Sequence, residues 1–364
     1  MSPNNWFKIK RYPHIGLPIN QNDQKWIEQY IMDRERVSKH SFTPFIHITL
    51  RTSKFRKEYD EISDSVLNDQ RRKKDKKNRE IYYADHFDSN IYSYYAHVLG
   101  SLYEDELQRR GLSHTVTAYR KIAKKNSKSG MNNIDFAEEV FEFIRSSNEE
   151  KLVAMTFDIS SFFDNLDHKK LKECWKCLLK CDRLPNDQYN VYRNITRFSY
   201  IDIEDLFHEF HNDLIAEKKN HEICTISVSN LQHMKNKHVI AFCKKKDFDN
   251  RIRRKNYIKA NKFIYDKDKN EYIPRKKGIP QGSPISSILA NLYLLEFDTR
   301  IQHSVNATSG LYRRYSDDIV VVCKEEDKDK YYQMVIDGVQ EFRLLIQPKK
   351  SKIFLFERHN NRFE

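Results

Sequence analysis

The chain is 364 residues long, and its 65 lysines and arginines outnumber its 52 acids, for a formal net charge of +13. No stretch approaches the ~18–20 consecutive apolar residues of a membrane helix, and the N-terminus MSPNNWFKIKRYPHIGL lacks the apolar core of a signal peptide, so a cytoplasmic protein with no membrane partner is expected. With 21 tyrosines and 22 phenylalanines wholesale disorder is argued against, and the length suits two or three subdomains rather than one core. The basic excess suits a polyanionic partner such as nucleic acid, and equally an unspecific lysine-rich composition.

Residues 1–50 mix short apolar runs with charge, and residues 54–79 carry the basic blocks KFRK and RRKKDKKNR. Such blocks are usually solvated faces. They lead into REIYYADHFDSNIYSYYAHVL, whose spacing predicts a helix with Tyr82, Tyr83, Tyr92, Tyr94 and Tyr95 mostly packed in a core. Basic residues beside such rings also suit a groove for single-stranded or hybrid nucleic acid. SHTVTAYRK (113–121) predicts a strand ending in base. NNIDFAEEVFEFIR predicts an amphipathic helix capped by Asn132 or Asn133, with Ile134, Ala137, Val140, Phe141 and Ile144 apolar.

Leu152–Phe157 predicts a strand with Asp158 at its end, and Asp167 a cap for a helix beginning at His168. Cys174, Cys177 and Cys181 fall in a helical segment without a histidine at finger spacing, which favours ordinary helix cysteines over zinc ligands. Residues 182–262 show only helical patterns, such as EDLFHEFHNDLIAEKK, and the basic block KKKDFDNRIRRKNYIKANK. FIYDKDKNEYIPR predicts a hairpin turning at Asp268–Asn270. GIPQGSP enters a long helix, with Ser283 as N-cap and Pro284 at its first position. LYRRY and IVVV predict two strands joined at YSDD, the second of them buried.

Adjacent Asp317 and Asp318 at the mouth of a buried strand repel each other and resist desolvation. Alone, a pair of aspartates in a turn is ordinary. Beside Asp158 they would offer oxygen ligands to hard cations, since Mg²⁺ is commonly held by one or two carboxylates plus substrate phosphates. Two such ions ~3.5–4 Å apart serve phosphoryl transfer.

In order, FDISSFFD (157–164), GIPQGSPISSILAN (278–291) and YSDD (315–318) resemble motifs A, B and C of reverse transcriptases, over residues 110–355 or so. The resemblance implies an α+β right-hand polymerase: fingers and a palm whose antiparallel sheet is backed by helices, with the thumb absent or reduced. It divides the chain into a basic N-terminal extension (1–80), fingers (81–150), a palm (151–355) with an inserted region around 182–277, and the start of a missing or truncated thumb (356–364). Asp158, Asp317 and Asp318 would be catalytic metal ligands, assisted by the carbonyl of Ile159. Phe163 would gate the sugar against a 2′-hydroxyl, and Gln281 and Gly282 would line nucleotide and template. Arg120, with Lys121 as a second candidate, would meet the triphosphate. EFRLLIQPKKSKIFLF resembles motif D, with Lys350 or Lys352 near the pyrophosphate.

By the same resemblance the cofactors are two Mg²⁺ ions, with Mn²⁺ as a substitute. The partners are an RNA template (an associated non-coding RNA included), a DNA product and deoxynucleoside triphosphates. AYRK, DFAEEVFEFI and QGSPISSILANLY look most like bacterial defence-associated and abortive-infection reverse transcriptases, which implies a role against phage; retron and group II intron enzymes are the other candidates. Glu364 follows so soon after the motif D-like stretch that either the chain is cut short of a thumb, or a protein partner or self-association supplies the thumb's grip. The rival reading is a catalytically altered polymerase scaffold that only binds nucleic acid. Three retained acids argue against it, and a two-metal nuclease has no evident use for Phe163 or Gln281–Gly282.

Overall fold

A computed structural model describes residues 6–59, 66–124, 129–252, 255–266, 270–359 and 362–363, and side chains within these ranges except at 54–76, 266, 359 and 362–363. The chain opens with β1 (His14–Ile15), α1 (Gln24–Met32) and α2 (Arg34–Ser38), then the long strands β2 (Phe45–Tyr59) and β3 (Val66–Tyr83). Two helices follow, α3 (His86–Arg109) and α4 (Asn133–Ser146). Asp85 caps α3 and Asn132 caps α4, each carboxylate or amide oxygen accepting from backbone N–H groups that the first helical turn leaves free.

β4 (Lys151–Asp158) leads through the one-turn α5 (Phe162–Asn165) into α6 (His168–Leu179), with Asp167 as the expected cap. The inserted region contains α7 (Asn186–Thr196), β5 (Ser199–Asp202), α8 (Ile203–Phe210), β6 (Leu214–Glu217), β7 (Ile223–Ile226), β8 (Val239–Cys243), α9 (Lys245–Arg251), β9 (Lys259–Ala260), β10 (Phe263–Asp266) and β11 (Glu271–Pro274). The chain then returns through α10 (Ser286–Tyr293), α11 (Leu295–Asn306), β12 (Leu311–Tyr315), β13 (Asp318–Lys324), α12 (Lys328–Glu341), β14 (Lys352–His359) and β15 (Arg362–Phe363).

The central sheet runs β12-β13-β4-β14-β15, every pair antiparallel. Alternation along its strands gives it two different faces. Val153, Met155 and Phe157 of β4, with Ile319 and Val321 of β13, face a large core that includes Trp175 of α6, Leu289 of α10, Phe297 of α11 and Val335 of α12. Leu152, Ala154 and Val322 face a small cluster under Ile144 of α4. The expected palm, an antiparallel sheet backed by helices, is therefore present. A second sheet, β3-β2-β5-β9, and a third, β1-β8-β6-β7, are built from the N-terminal and inserted segments.

Several local expectations need correction. Residues 113–121 are not a strand: two backbone hydrogen bonds join Thr115 and Thr117 to Arg314, and a left-handed Tyr119 (φ 63°) then turns the chain away. Tyr82 and Tyr83 lie in β3, not in the helix, where Tyr92 and Tyr95 are buried as expected. The pattern at 204–219 is helical only to Phe210 and continues as β6. Ser283 does not cap a helix; α10 begins at Ser286, whose N–H bonds to the Ser283 carbonyl, and the Ser283 hydroxyl is buried without a partner. On α4 it is Val140, Phe143 and Ile144 that meet the sheet, while Ile134 (77%) and Phe141 (55%) stay exposed. The 263–274 hairpin forms as expected; Asp268 lies outside the described residues. Strand β3 runs through residue 80 without a break, and Trp6, Ile27 and Phe45 share the large core. No helix among the described residues is long and apolar enough to cross a membrane.

Candidate active site

Asp158 is the last residue of β4 and lies on the face of Leu152 and Ala154, beyond the end of the cover that α4 provides. Asp318 is the first residue of β13 and the direct cross-strand partner of Asp158. Residues so paired have Cβ atoms ~5 Å apart on one face. Two carboxylates thus stand side by side at an open sheet end, and Asp317 occupies the two-residue turn beside them. Burial pushes the Asp318 carboxyl above its ordinary range, and the charges of Asp317 and Asp158 push it further; Lys350 and Lys77 pull it back. Lys350 reaches Asp158 directly, Nζ lying 2.8 and 2.9 Å from the two carboxylate oxygens.

The backbone around these acids is pinned from both sides. Ile159 N–H donates to the Asp317 carbonyl at 3.0 Å, and Gln347 N–H donates to the Asp158 carbonyl at 2.7 Å. Ser316 holds a left-handed φ of 59° in the turn, a conformation non-glycine residues rarely adopt and one that surroundings must impose. Those surroundings centre on Arg314, whose guanidinium is fully buried. It donates to both oxygens of Asp298 (2.8 and 2.6 Å), to Asn291 Oδ1 (3.3 Å) and to the Ser316 carbonyl (3.0 Å). Tyr312 donates its hydroxyl to the same Asp298 at 2.7 Å, and the Tyr119 and Ser316 hydroxyls lie 3.2 Å apart. Burial works against the Arg314 charge, but Asp298 outweighs it and holds the guanidinium more basic than usual. This network was missed at the sequence level; its one signal is a second arginine in L-Y-R-R-Y, where strand alternation turns one of the two inward.

Segment 278–283 joins three parts of the fold. Gly278 (φ 94°) lies against the backbone of Asp164, where an added Cβ would come within 2.9 Å of a carbonyl oxygen. Ile279 N–H donates to the Phe163 carbonyl at 2.9 Å, fixing α5. Phe163 is half-buried against the core and its ring lies 5.9 Å from that of Phe162. On the other side, Tyr82 N–H donates to the Gln281 carbonyl at 2.8 Å. Gly282 (φ 113°) is so close that a Cβ would sit 2.8 Å from the Tyr82 oxygen. Only glycine accommodates both the conformation and the contact.

Among the remaining sequence candidates, Lys121 and Lys352 are exposed. The Arg120 side chain is only 7% exposed and its guanidinium is taken: it pairs with Glu104 (2.6 Å) and donates to the carbonyls of Ser113 (2.8 Å) and Val116. The structure thus brings Asp158, Asp317, Asp318, Ile159 and Lys350 together, ties the Phe163 backbone to the Gln281–Gly282 segment through Ile279, and commits Arg120 to a fold contact. Cys174, Cys177 and Cys181 are free, and among the described residues no three His, Cys, Asp or Glu side chains form a ready cation cage.

Residues 179–363, just over half of the chain, match the family described as reverse transcriptase (RNA-dependent DNA polymerase). The match spans GIPQGSP and YSDD and begins after Asp158. No curated protein sequence matches. Among solved structures, telomerase from Candida tropicalis truncated from its C-terminal domain aligns with 11% identity and a TM-score of 0.39, over 93% of this chain and 56% of that one. Telomerase from Candida albicans in complex with a fragment of telomeric RNA aligns with 14% identity and a TM-score of 0.39, over 98% of this chain and 51% of that one. The chain therefore spans about half the length of these structures.

Proposed function

Since the chain belongs to the reverse transcriptase family and is an RNA-directed DNA polymerase, we propose that Asp158, Asp317 and Asp318 form its catalytic centre and that it copies RNA with Mg²⁺. The observation that carries this reading is the cross-strand pairing of Asp158 with Asp318 beside the Asp317 turn. The donor set fits Mg²⁺: the ligands are hard oxygens, and burial, with the neighbouring charges of Asp317 and Asp158, raises the Asp318 carboxyl, a penalty on its charged form that a cation would relieve. The acids would fill part of each ion's shell, with the Ile159 carbonyl, water and nucleotide phosphates completing it. When bound, two such ions (or Mn²⁺ in their place) would polarise the attacking 3′-hydroxyl and stabilise the leaving oxygen.

The chain's own residues supply the rest. The pinned carbonyls of Asp158 and Asp317 hold the acids at fixed separation, which matters because positioning dominates phosphoryl transfer. Lys350, already at Asp158, is the group to donate a proton to the departing pyrophosphate, with Lys352, the first residue of β14, as the second candidate. Phe163 closes the floor under the sugar, and Gln281–Gly282 line the template and incoming base. With Arg120 committed to Glu104, contact with the triphosphate falls to the exposed Lys121. A role in bacterial phage defence, with an associated RNA as template, is the biological setting we propose; the AYRK and QGSPISSILANLY stretches support it.

The test is to purify the protein from cells, sequence the RNA that accompanies it, and supply labelled nucleotides. Mg²⁺-dependent DNA complementary to that RNA is expected; product without complementarity to any RNA would contradict RNA-directed copying. Phe163→Ala should raise ribonucleotide incorporation at least about tenfold, the scale of one lost apolar contact. Unchanged sugar discrimination would remove the gate from Phe163.

A further inference from the structure

Three distant parts of the chain meet at a cleft of about 900 Å³ beside the inserted region. The segment before β1 contributes Arg11, Tyr12 and Pro13, and the base of the β2–β3 hairpin contributes Ile48 and Tyr83. The inserted region supplies the rest. A cleft of this size falls within the range of small-molecule sites. Buried Ile203, Met234 and Phe242 line it and belong to the apolar cluster that packs the third sheet. Its mouth is basic. Arg11, Lys218, Lys219 and Lys235 line it with exposed side chains, against one carboxylate, Glu217, which already meets His221 at 2.7 Å. Lys218 also reaches Glu222 (3.0 Å), an exposed pair that water weakens. No residue of the acidic site lines the cleft.

The aromatic wall is held in place by the fold. The Tyr12 hydroxyl donates to the Ala84 carbonyl at 2.8 Å, and its ring stacks on His86 (5.0 Å, 24°) and meets Tyr83 edge-on (5.0 Å, 75°). Buried His14, on β1, donates from Nε2 to the Tyr83 carbonyl at 3.1 Å. The Tyr83 hydroxyl, by contrast, has no hydrogen-bond partner among the described residues. Burial holds that phenol well above its usual range, so it stays protonated and able to donate. The cleft thus combines an apolar body, an aromatic wall with a spare donor, and a cationic mouth. A hydrocarbon chain would leave the donor unsatisfied. A nucleoside triphosphate matches all three features: a flat ring for the wall, acceptor atoms on the ring's edge for Tyr83, and a polyanionic tail for the mouth.

We infer that this cleft binds a free nucleoside triphosphate, with its base against Tyr12 and Tyr83 and its phosphates at Arg11, Lys218, Lys219 and Lys235. The site is separate from the polymerising centre and does not depend on that reading.

The experiment is equilibrium dialysis of radiolabelled ATP against the full chain, in EDTA and without primer or template. Binding should saturate at a single equivalent, and Asp317→Asn/Asp318→Asn should keep the wild-type affinity. Loss of binding in that variant would put the nucleotide in the acidic site and overturn the inference. Arg11→Gln and Lys218→Gln/Lys219→Gln should each weaken ATP about tenfold or more, the scale of a charge-assisted hydrogen bond. Tyr83→Phe, which keeps the ring, should weaken it by a few-fold to about tenfold. Leu231→Trp fills the cleft while keeping every charge and should abolish binding. Lys244→Gln/Lys246→Gln removes equal charge from exposed positions outside the cleft and should bind as the wild type does. Melting curves check that each variant is folded; if Leu231→Trp is not, the surface variants and Tyr83→Phe decide. No ATP binding by the wild type, unchanged affinity in those variants, or an equal loss in the control overturns the inference. Competition identifies the ligand. ATP should displace the label better than tripolyphosphate, adenosine, decanoate, a glutamate-rich amphipathic peptide, or a single-stranded oligoribonucleotide at equal nucleotide concentration. Any of these matching ATP would contradict a free-nucleotide site.

Discussion

Two antiparallel hairpins present charge in this molecule, and they are built in opposite ways. The β12–β13 hairpin holds like-charged Asp317 and Asp318 beside Asp158 with one strand flank in the core, a left-handed turn, and a buried guanidinium bonded to the turn carbonyl. The β2–β3 hairpin, whose sequence is strongly basic, has no third strand beyond His47 among the described residues. A site that must keep carboxylates at a set separation against their repulsion is over-determined by its surroundings.

Breaking the Arg314–Asp298 pair should give the largest stability effect, because removing one partner strands a buried charge at a cost of about 3–5 kcal/mol. Asp298→Asn or Arg314→Met alone should lower the melting temperature sharply. The double variant Arg314→Met/Asp298→Leu should recover much of it, since an apolar pair can replace a buried ion pair. Its incorporation rate should still fall, the Ser316 carbonyl having lost its donor; full activity in the refolded double variant would show that the pair only stabilises.

Lys350→Ala should lower kcat by about 10²-fold or more, the usual scale for a lost general acid. It should also lower the Mg²⁺ concentration for half-maximal rate, because the ammonium that now pairs with Asp158 competes with the cation. A higher Mg²⁺ requirement would contradict that competition.

The smallest effect concerns Asp318. Its carboxyl is raised from the ordinary 3.8, so the folded state binds a proton more readily than the unfolded chain. By linkage, stability from this group is greatest below 3.8 and declines as pH climbs through the raised value. Asp318→Asn in divalent-free buffer should therefore raise the melting temperature at pH 7 by about 1–2 °C, while abolishing synthesis. The variant's advantage should vanish when the comparison is made at acid pH.

What the sequence made legible follows from range. Asp158 at a strand end, the GIPQG turn and the YSDD hairpin are local patterns, read from alternation and turn chemistry. The Arg314–Asp298 pair is not, because nothing in L-Y-R-R-Y says which arginine turns inward or that an acid on α11 awaits it. The β1–β8 and β2–β5 pairings join residues far apart in the chain, so the sheets they build could not be anticipated. Ser283 read as a cap because serine before proline usually is one; here residues 281–285 are taken up by turns, with Gly282 tight against Tyr82, and the regular helix begins only at Ser286. On α4 the period was right, but apolar residues on two arcs left open which arc the sheet would cover.

The central claim is that Asp158, Asp317 and Asp318 together form one Mg²⁺-dependent polymerising centre. Its most direct test is single-turnover addition of a labelled deoxynucleotide to an RNA-templated primer by the wild type, Asp158→Asn and Asp317→Asn/Asp318→Asn. Addition should require Mg²⁺ in the wild type and fall at least about 10³-fold in both variants, with their melting temperatures at or above the wild type's. Wild-type rates in either folded variant would contradict it.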